Sequence, residues 1–211
     1  MVVAAMGVES ASQEVLDRLR KQLKTEHIMR CADILAKTNI VPKMNFMVGL
    51  PDETEEDMIK TYQLAVKLRK MFRKSCVTIS PFRPYPGSPL YDKVVAEYGY
   101  SPPSSLEGWA KLSQEEISEG RGYESFLKHR WIKNPKKLRS MQCLYDFIAW
   151  YQPRKDDNFF GKTLNRLVYL QFRFDFYSLA LIERYLYLRL ASAASIFERL
   201  IRRLKGRHGH A

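Results

Sequence analysis

Residues 44–54 read Met-Asn-Phe-Met-Val-Gly-Leu-Pro-Asp-Glu-Thr, and this stretch decides the fold class. The mostly apolar run at 44–48 predicts a buried strand, because a short apolar run bounded by turn residues is typical of one. Gly-Leu-Pro at 49–51 ends the strand. Thr54 begins a helix, since three acidic residues at 55–57 crowd its first turn, where the helix dipole favours anions. The stretch therefore predicts a strand that leads directly into a helix.

Two further strands flank this unit. Residues 2–8 form an apolar run before a helical pattern, and residues 76–80 form a third strand that is followed by a helix over 90–98. Alternating strands and helices predict parallel strands joined by right-handed crossovers. Because three strands cannot close a barrel, they belong either to an open α/β sheet or to part of a (β/α) barrel. In both folds, ligands bind at the carboxyl ends of the strands.

The composition limits the class of protein. The 211 residues carry a formal net charge of +12 and are 45% apolar, which excludes a disordered chain. No uncharged apolar run approaches the ~18 residues of a spanning helix, and the first residues do not have the pattern of a signal peptide. The three cysteines stand far apart, so we expect neither a disulfide framework nor a cysteine metal site within the chain. These features indicate a cytoplasmic protein.

The chain changes character near residue 104. Residues 1–104 hold 15 basic and 12 acidic residues, whereas residues 105–211 hold 20 basic and 11 acidic residues. The first part alternates strands and helices, while the second is helical, basic and rich in aromatic residues. The Pro- and Ser-rich stretch at 101–105 is typical of a linker. We therefore expect two domains, 1–104 and 105–211.

Gly7, Glu9 and Ser10 lie at the predicted carboxyl end of the first strand. A carboxylate there can accept hydrogen bonds from ribose hydroxyls or from an ammonium group, and Ser10 adds a hydroxyl. The alternative is structural: Ser10 and Gln13 have the spacing of a capping box, which leaves Glu9 solvated. Both interpretations stay open on these residues alone.

Two more segments occupy equivalent positions. Gly49 has no Cβ and lets a ligand approach the backbone closely, while the alternative is an ordinary turn after the strand. The loop at 81–87 has three prolines in seven residues, so it is stiff and holds Arg83 and Tyr85 in place. Arg83 suits an anionic substrate group, and Tyr85 can stack or donate a proton. The alternative is a structural turn with Arg83 paired to a surface acid.

Four motifs follow one another in order: Gly-Val-Glu-Ser at 7–10, Ser-Gln-Glu-Val-Leu-Asp at 12–17, Gly-Leu-Pro-Asp-Glu-Thr at 49–54 and Pro-Tyr-Pro-Gly-Ser-Pro-Leu-Tyr at 84–91. Together they resemble the second half of a radical S-adenosylmethionine (SAM) enzyme, of the class that often carries an N-terminal cobalamin-binding domain. The resemblance covers residues 1–109. It implies the later strands of a partial (β/α) barrel of the TIM-barrel type, followed by an all-α C-terminal region.

The resemblance also implies cofactors and roles. The parent enzyme would use SAM, a four-iron four-sulfur cluster and, in this class, cobalamin. SAM would be cleaved reductively to a 5′-deoxyadenosyl radical that abstracts hydrogen, with methyl transfer or rearrangement as further outcomes. The end of the first strand would meet the ribose or methionine part of SAM, and the end of the second would meet the adenine. The residues implied at SAM are Gly7, Glu9, Ser10, Gly49, Leu50 and Pro51, and those facing SAM or a small-molecule substrate are Arg83 and Tyr85.

One family feature is absent. The cluster is held by Cys-x-x-x-Cys-x-x-Cys, and Cys31, Cys76 and Cys143 do not have that spacing. That motif belongs to the first barrel strand. We therefore expect Met1 to mark a fragment end or an internal start, and the missing N-terminal half of the barrel to be a partner. The chain alone is then expected to be inactive as a radical enzyme.

The second half of the chain predicts helices at 135–151 and 163–204, the latter with a wide aromatic face and a basic end. We favour packing of this helix on the barrel, followed by attachment to an anionic membrane surface. RNA ranks last, because no base-reading or aromatic platform motif is present. The competing function is a non-catalytic protein that binds a membrane surface or a partner and keeps a half-barrel remnant.

Overall fold

The computed structural model describes residues 2–72, 76–111, 126–150, 159–174 and 177. The strands and helices predicted for the first 104 residues are present. The elements in chain order are β1 (Val3–Glu9), α1 (Gln13–Arg18), α2 (Thr25–Leu35), β2 (Val41–Val48), α3 (Glu55–Met71), β3 (Cys76–Pro81), α4 (Pro89–Tyr98), α5 (Pro135–Trp150) and α6 (Phe159–Phe174).

The three strands form one parallel sheet in the order β1-β2-β3. Met44 in the middle strand pairs with Met6 on one side and with Val77 on the other. Helices connect successive strands, so the α/β class and the partial (β/α) barrel predicted from the sequence are confirmed. The register shifts between Gly7 and Glu9, a bulge that leaves Val8 without a paired residue on β2.

The sheet has a covered face and an open face, because alternate residues of a strand point to opposite sides. In β2, Met44 and Phe46 are buried, whereas Lys43 between two buried residues is exposed. On the open face, the Thr78 hydroxyl donates to Asn45 Oδ1 across 2.8 Å. The open face therefore carries the polar side chains Lys43, Asn45 and Thr78 in the middle of the sheet, and Met47 near the end of β2.

Helices α5 and α6 share a core with the sheet through Tyr62 of α3, which is fully buried. The Tyr62 ring stacks on Phe172 and meets Tyr145 edge-on, each at a centroid distance of 6.0 Å. Its hydroxyl donates to Gln142 Oε1 at 2.6 Å, and the Tyr145 hydroxyl donates to the Val77 carbonyl at 2.7 Å. Residues on both sides of residue 104 contribute to one buried cluster. The domain boundary near residue 104 stays a prediction.

The long helix predicted at 163–204 falls only partly within the described residues. Helix α6 buries Val168 and Phe172 in the shared core, as expected for packing on the barrel. Residues 178–204, with the rest of the predicted apolar face, lie outside the described residues, as does the basic end. Among the described segments, none of the helices has the length and hydrophobicity that crossing a bilayer requires.

Thr54 begins α3 as predicted. Its hydroxyl oxygen accepts the backbone N–H of Asp57 at 3.1 Å, and Asp57 Oδ2 accepts the backbone N–H of Thr54 at 3.0 Å. This reciprocal capping box fixes the start of the helix directly after the turn that ends β2.

The capping box predicted for Ser10 and Gln13 is wrong. Helix α1 begins at Gln13 with Ser12 as its N-cap. Ser10 Oγ instead accepts the N–H of Ser12 at 3.0 Å and shares a hydrogen bond with Thr61 Oγ1 at 3.1 Å. The side-chain amide oxygen of Gln13 accepts the backbone N–H of Thr25 at 3.1 Å. The box fails because residues 10–12 form the turn between β1 and α1, in which the Ser10 hydroxyl bonds to Thr61 of α3 and the helix begins only at Gln13.

Candidate functional site

An open cleft of about 690 Å³ lies at the carboxyl ends of β2 and β3. Its walls are residues 18–20 at the end of α1, Met47 near the end of β2, and residues from 80 to 90 between β3 and α4. A volume of this size suits a small organic molecule. The cleft lies where parallel sheets place their ligands, at the strand ends that the sequence singled out.

The proline-rich loop brings Arg83 and Tyr85 to the cleft. The loop is anchored at its start, because the Phe82 N–H donates to the Val48 carbonyl at 2.9 Å and the Phe82 side chain is buried. Tyr85 is 59% exposed, and its ring stacks on Trp109 at a centroid distance of 6.5 Å. The structure thus brings both predicted side chains to one cleft, while what they bind stays a prediction.

Two residues that the sequence did not single out, Arg18 and Arg20, line the same cleft. Helix α1 ends at Arg18, and the chain then turns back because Arg20 and Gln22 adopt left-handed backbone angles, with φ of 53° and 51°. Arg18 Nη1 donates to the carbonyl of Asp52 at 2.7 Å, which holds its guanidinium beside the β2–α3 turn. The basic run after α1 was the available signal, but left-handed turns without glycine are hard to foresee.

Glu9 lies at the bulged end of β1, with its backbone in the left-handed region at a φ of 66°. Its Oε1 forms an ion pair with Lys21 Nζ at 2.9 Å. A Cβ atom on Gly7 would lie 2.4 Å from that same Oε1 and 3.1 Å from Lys21 Nζ. Gly7 therefore leaves the room in which the Glu9 carboxylate folds back over the strand, and the two residues form one local unit.

Ser10 lies behind Glu9 and is fully buried. Thr61 Oγ1, its hydrogen-bond partner, also accepts the N–H of Ala11 at 3.1 Å. Ser10 thus attaches the turn after β1 to helix α3. It can influence a ligand through the position of Glu9, because its own hydroxyl does not reach the surface.

Gly49 ends β2 with a φ of 73°, a left-handed conformation that favours glycine. Its carbonyl accepts the indole N–H of Trp131 at 2.9 Å. A Cβ atom on Gly49 would lie 2.1 Å from Phe126 Cζ and 3.0 Å from Ile132 Cδ1. The space beside this glycine is therefore filled by side chains of the chain's own second half.

Leu50 and Pro51 are buried in the same turn, which closes on Glu53. Glu53 Oε2 accepts the backbone N–H groups of Gly49 and Leu50, the latter at 3.1 Å. Its other oxygen, Oε1, is buried without a hydrogen-bond partner among the described residues. Burial raises the pKa of Glu53 to about 8 despite the two backbone N–H donors, which lower it. Glu53 is therefore a carboxyl group that holds the turn from inside.

Asp52 fixes the outer side of this turn. Its carboxylate accepts hydrogen bonds from Lys93 Nζ and, at 2.6 Å, from the Tyr98 hydroxyl, both on α4. These two hydrogen bonds, with that of Lys93 the larger effect, hold the pKa of Asp52 below its usual range. The turn after β2 is thus tied to the helix that closes the far side of the cleft.

Trp131 is the centre of an aromatic cluster that the sequence did not predict. It is 3% exposed, and His129 stacks on it at a centroid distance of 4.2 Å. Phe82, Tyr98 and Tyr100 meet its ring edge-on at 6.0 to 6.3 Å. Burial lowers the pKa of His129. These rings come from separate segments of the chain, so no local pattern announces the cluster that joins the Gly49 turn to the proline-rich loop.

The described residues do not fit an iron–sulfur cluster. Within the described segments, no group of three or more His, Cys, Asp or Glu side chains could hold a metal ion. Cys31 contacts the Met6 sulfur at 3.8 Å, Cys76 is exposed on β3, and Cys143 is buried in α5. Such clusters need thiolates that converge. Glu9 beside Gly7, in contrast, offers a carboxylate that fits the hydroxyl or ammonium groups of SAM.

Residues 1–65 match the model of the Radical SAM superfamily. The matched segment begins at β1 and ends in α3, so it includes Glu9, Arg18, Arg20 and Gly49 but not β3. This part of the chain is therefore similar to radical SAM proteins, as its motifs at 7–17 and 49–54 indicated.

Curated relatives align with about half of the chain or slightly less. An uncharacterized protein of Methanocaldococcus jannaschii is 28% identical over 109 residues, which are 51% of this chain and 24% of that protein. The anaerobic magnesium-protoporphyrin IX monomethyl ester cyclase of Rubrivivax gelatinosus is 28% identical over 94 residues, 44% of this chain and 16% of the cyclase. An uncharacterized methyltransferase of Pyrococcus horikoshii is 28% identical over 90 residues, 43% of this chain and 19% of that protein. The alignments span less than a quarter of the length of each relative.

Proposed function

We propose that this chain forms the later strands of a radical SAM barrel, with SAM and a small-molecule substrate bound along the carboxyl ends of β1, β2 and β3. The observation that carries the proposal is the position of the cleft, which opens at the strand ends of a sheet related to radical SAM proteins over residues 1–65. Because the relatives include a cyclase and a methyltransferase, the proposed chemistry is hydrogen abstraction followed by ring closure or methyl transfer. When bound, SAM supplies the 5′-deoxyadenosyl group that removes the hydrogen.

In this proposal Glu9 holds SAM by accepting hydrogen bonds from its ribose hydroxyls or its ammonium group. The carboxylate is half-buried and already paired with Lys21 at 2.9 Å, so it is held in one place. Gly7 preserves the room for it. Ser10 acts as a positioning residue through Thr61, and the buried residues 49–51 shape the end of β2 that faces the adenine. Arg83 and Tyr85 face the substrate from the cleft wall.

The cluster ligands are proposed to come from outside these 211 residues. The three cysteines lie in α2, β3 and α5, and they do not have the spacing of a cluster motif. In the sheet formed by the described residues β1 is an edge strand, so further barrel strands would pair along its outer edge and bring the cysteines with them. The chain would then bind ligands without cleaving SAM on its own. A cobalamin-binding domain is supported only by the resemblance of the sequence motifs at 7–91.

A second candidate function, attachment of a cytoplasmic protein to an anionic membrane surface, is favoured by the outer face of α6. Leu167, Leu170 and Phe174 are 46%, 45% and 69% exposed and stand three and four residues apart on the helix. Arg166 and Arg173, also exposed, flank them. An apolar stripe bordered by arginines is typical of helices that lie on anionic lipid.

Saturation-transfer NMR with SAM and the 211-residue chain tests the first function, because it detects binding that is too weak for calorimetry. We expect transfer to the ribose protons of SAM in the wild type and in E14Q, whose exposed carboxylate lies on α1. E9Q is expected to lose most of that transfer. Absence of transfer to the wild-type chain would contradict the proposal.

Sedimentation with vesicles tests the second function. Phosphatidylglycerol vesicles should carry the wild-type chain into the pellet, and L170E should stay in the supernatant. Phosphatidylcholine vesicles serve as the uncharged comparison. Equal sedimentation with both lipids, or no effect of L170E, would remove α6 as an anionic-membrane surface.

A further inference from the structure

We infer that the substrate bound in the cleft is an amphipathic anion, a molecule with an apolar body and a carboxylate or phosphate group. The inference rests on the proposed function, because it assigns the cleft to the substrate and leaves SAM at Glu9. It is carried by the sign of the charges around the cleft and by the chemistry of its walls.

Arginine supplies all of the formal charge on the described lining of the cleft. Arg18, Arg20 and Arg83 are among these residues, and Asp and Glu are not. Arg18 is partly neutralised by Asp57, whose Oδ2 lies 3.8 Å from its Nη2. Arg20 is exposed and Arg83 is half-buried. Guanidinium groups on two sides of one cleft favour a carboxylate or phosphate, which they bind through paired hydrogen bonds.

The same charges separate the substrate from SAM. SAM carries a sulfonium and an ammonium group against one carboxylate, so its net charge is positive at pH 7. A cleft lined by guanidinium groups repels such a molecule, even with Arg18 partly neutralised. Glu9, at the end of β1, is the carboxylate that the proposed function assigns to SAM, and its ion pair with Lys21 at 2.9 Å balances the charge there. The structure therefore offers a charge-balanced carboxylate at one strand end and a basic cleft over the other two.

The rest of the lining is largely apolar, although Ser80, Ser88 and Tyr85 add hydroxyl groups. Leu19, Met47 and Leu90 are half-buried, so each still presents surface that a ligand could cover. Phe82 forms the floor and is held by its backbone hydrogen bond to Val48. The volume of about 690 Å³ greatly exceeds the space that an isolated phosphate or carboxylate group needs. An apolar body attached to the anionic group accounts for both the volume and the walls.

Titration calorimetry of the full chain with decanoate and decyl phosphate, below their micelle concentrations, tests the inference. We expect at least one of them to bind, and the comparison between them distinguishes a carboxylate from a phosphate head. Decyltrimethylammonium, which reverses the charge, and inorganic phosphate, which lacks the body, should each bind at least roughly tenfold more weakly. Binding of the ammonium compound as tightly as the anions would overturn the inference.

R20Q and R83Q test the arginines. We expect each variant to bind the anion roughly tenfold more weakly, as for a lost hydrogen bond to a charged group. Glutamine is compatible with the left-handed backbone of Arg20, because Gln22 in the same turn has nearly the same φ, 51° against 53°. R30Q, on the exposed side of α2, is the matched control and should bind as the wild type does. Unchanged affinity in both R20Q and R83Q would overturn the inference.

The SAM measurement on the same preparation keeps the two proposals apart. SAM transfer without anion binding overturns the amphipathic anion and leaves the radical SAM function standing. Anion binding without SAM transfer supports the basic cleft and overturns the assignment of SAM to Glu9.

Discussion

Trp131 donates its indole N–H to the carbonyl oxygen of Gly49 across 2.9 Å, although 82 positions separate the two residues. Phe126, from the same segment as Trp131, fills the space beside Gly49. The turn that ends β2 is therefore held from outside by residues of the second half of the chain, and from inside by Glu53.

Substitution of Trp131 by phenylalanine should destabilise the protein by about 1–2 kcal/mol, because it keeps a ring in the cluster but leaves the buried Gly49 carbonyl without its donor. The free energy of unfolding in urea measures the effect. W109F keeps the stacking on Tyr85 and should stay within about 0.5 kcal/mol of the wild type. Equal losses in the two variants would show that the hydrogen bond to Gly49 does not matter.

Gly49 and Gly87 form a matched pair for alanine substitution. Both have positive φ, 73° and 88°, but a Cβ atom at 87 meets nothing within 4 Å, whereas one at 49 meets Phe126. G87A should therefore cost only the left-handed backbone, about 1–2 kcal/mol. G49A should cost roughly 1–3 kcal/mol more, because it also overpacks the core.

A double-mutant cycle identifies the cause. If the clash is with the Phe126 ring, the losses in G49A and F126A will sum to more than the loss in the double variant. If the losses of the two single variants add up to the loss of the double variant, the strain in G49A does not come from the Phe126 ring.

Because Glu53 is buried, we expect the stability of the protein to fall as pH rises. Its pKa is raised by burial to about 8 in the folded protein, against 4.5 as the ordinary value. The folded state thus binds the proton more tightly than the unfolded state does, so this contribution is complete below about pH 4.5 and is lost as pH rises towards 8. E53Q should flatten the decline between these values, by an amount on the order of a few kcal/mol. Denaturation at several pH values measures it, and an equally steep decline in E53Q would rule out Glu53 as its source.

For Asp52 we expect the opposite: its contribution to stability is lost as pH falls at the acid end of the range. Its pKa is lowered by the hydrogen bond from Lys93 and then by that from Tyr98, so its contribution is present above the ordinary value of 3.8 and is lost as pH falls below it. D52N should reduce stability at pH 7 by less than about 1 kcal/mol, since the pair is partly exposed. Asparagine tolerates the left-handed φ of 61°, so the backbone is not a confounding cause.

Y98F is the companion variant for Asp52. It removes one of the two donors and keeps the ring in the Trp131 cluster. Its loss of stability should be smaller in the D52N background, because the amide oxygen that remains is a weaker acceptor than a carboxylate. A loss that is the same in both backgrounds would separate Tyr98 from Asp52.

The sequence predicted the strands and the helices of the first 104 residues because their signals are local. The run at 44–48 is apolar and ends at glycine and proline, and Thr54 with Asp57 is a local capping box. Arg83 and Tyr85 were found for the same reason, since the prolines around them mark a stiff loop at a strand end. The Ser10 capping box failed because its hydroxyl is claimed by Thr61, 51 residues away.

The rest of the candidate site depends on backbone angles and on distant partners. Arg20 faces the cleft through a left-handed turn without glycine, which no residue type announces. Trp131 and Phe126 meet Gly49 only after the chain has folded. The burial of Glu53 could not be predicted either, because an acidic residue near the start of a helix is usually exposed to solvent.

The hydrogen bond from Trp131 to Gly49 also sets an order of events during synthesis. A ribosome makes Gly49 82 residues before it makes Trp131, and Tyr62 80 residues before Gln142, its hydrogen-bond partner in α5. Contacts of such long sequence separation form slowly, since closing the intervening loop costs entropy before the contact is gained. The strands of the nascent chain therefore emerge before the β2 turn has its contacts with Trp131 and Phe126. All of the described residues that line the cleft have been made by then, but the turn beside it is fixed only after the second half of the protein has been made.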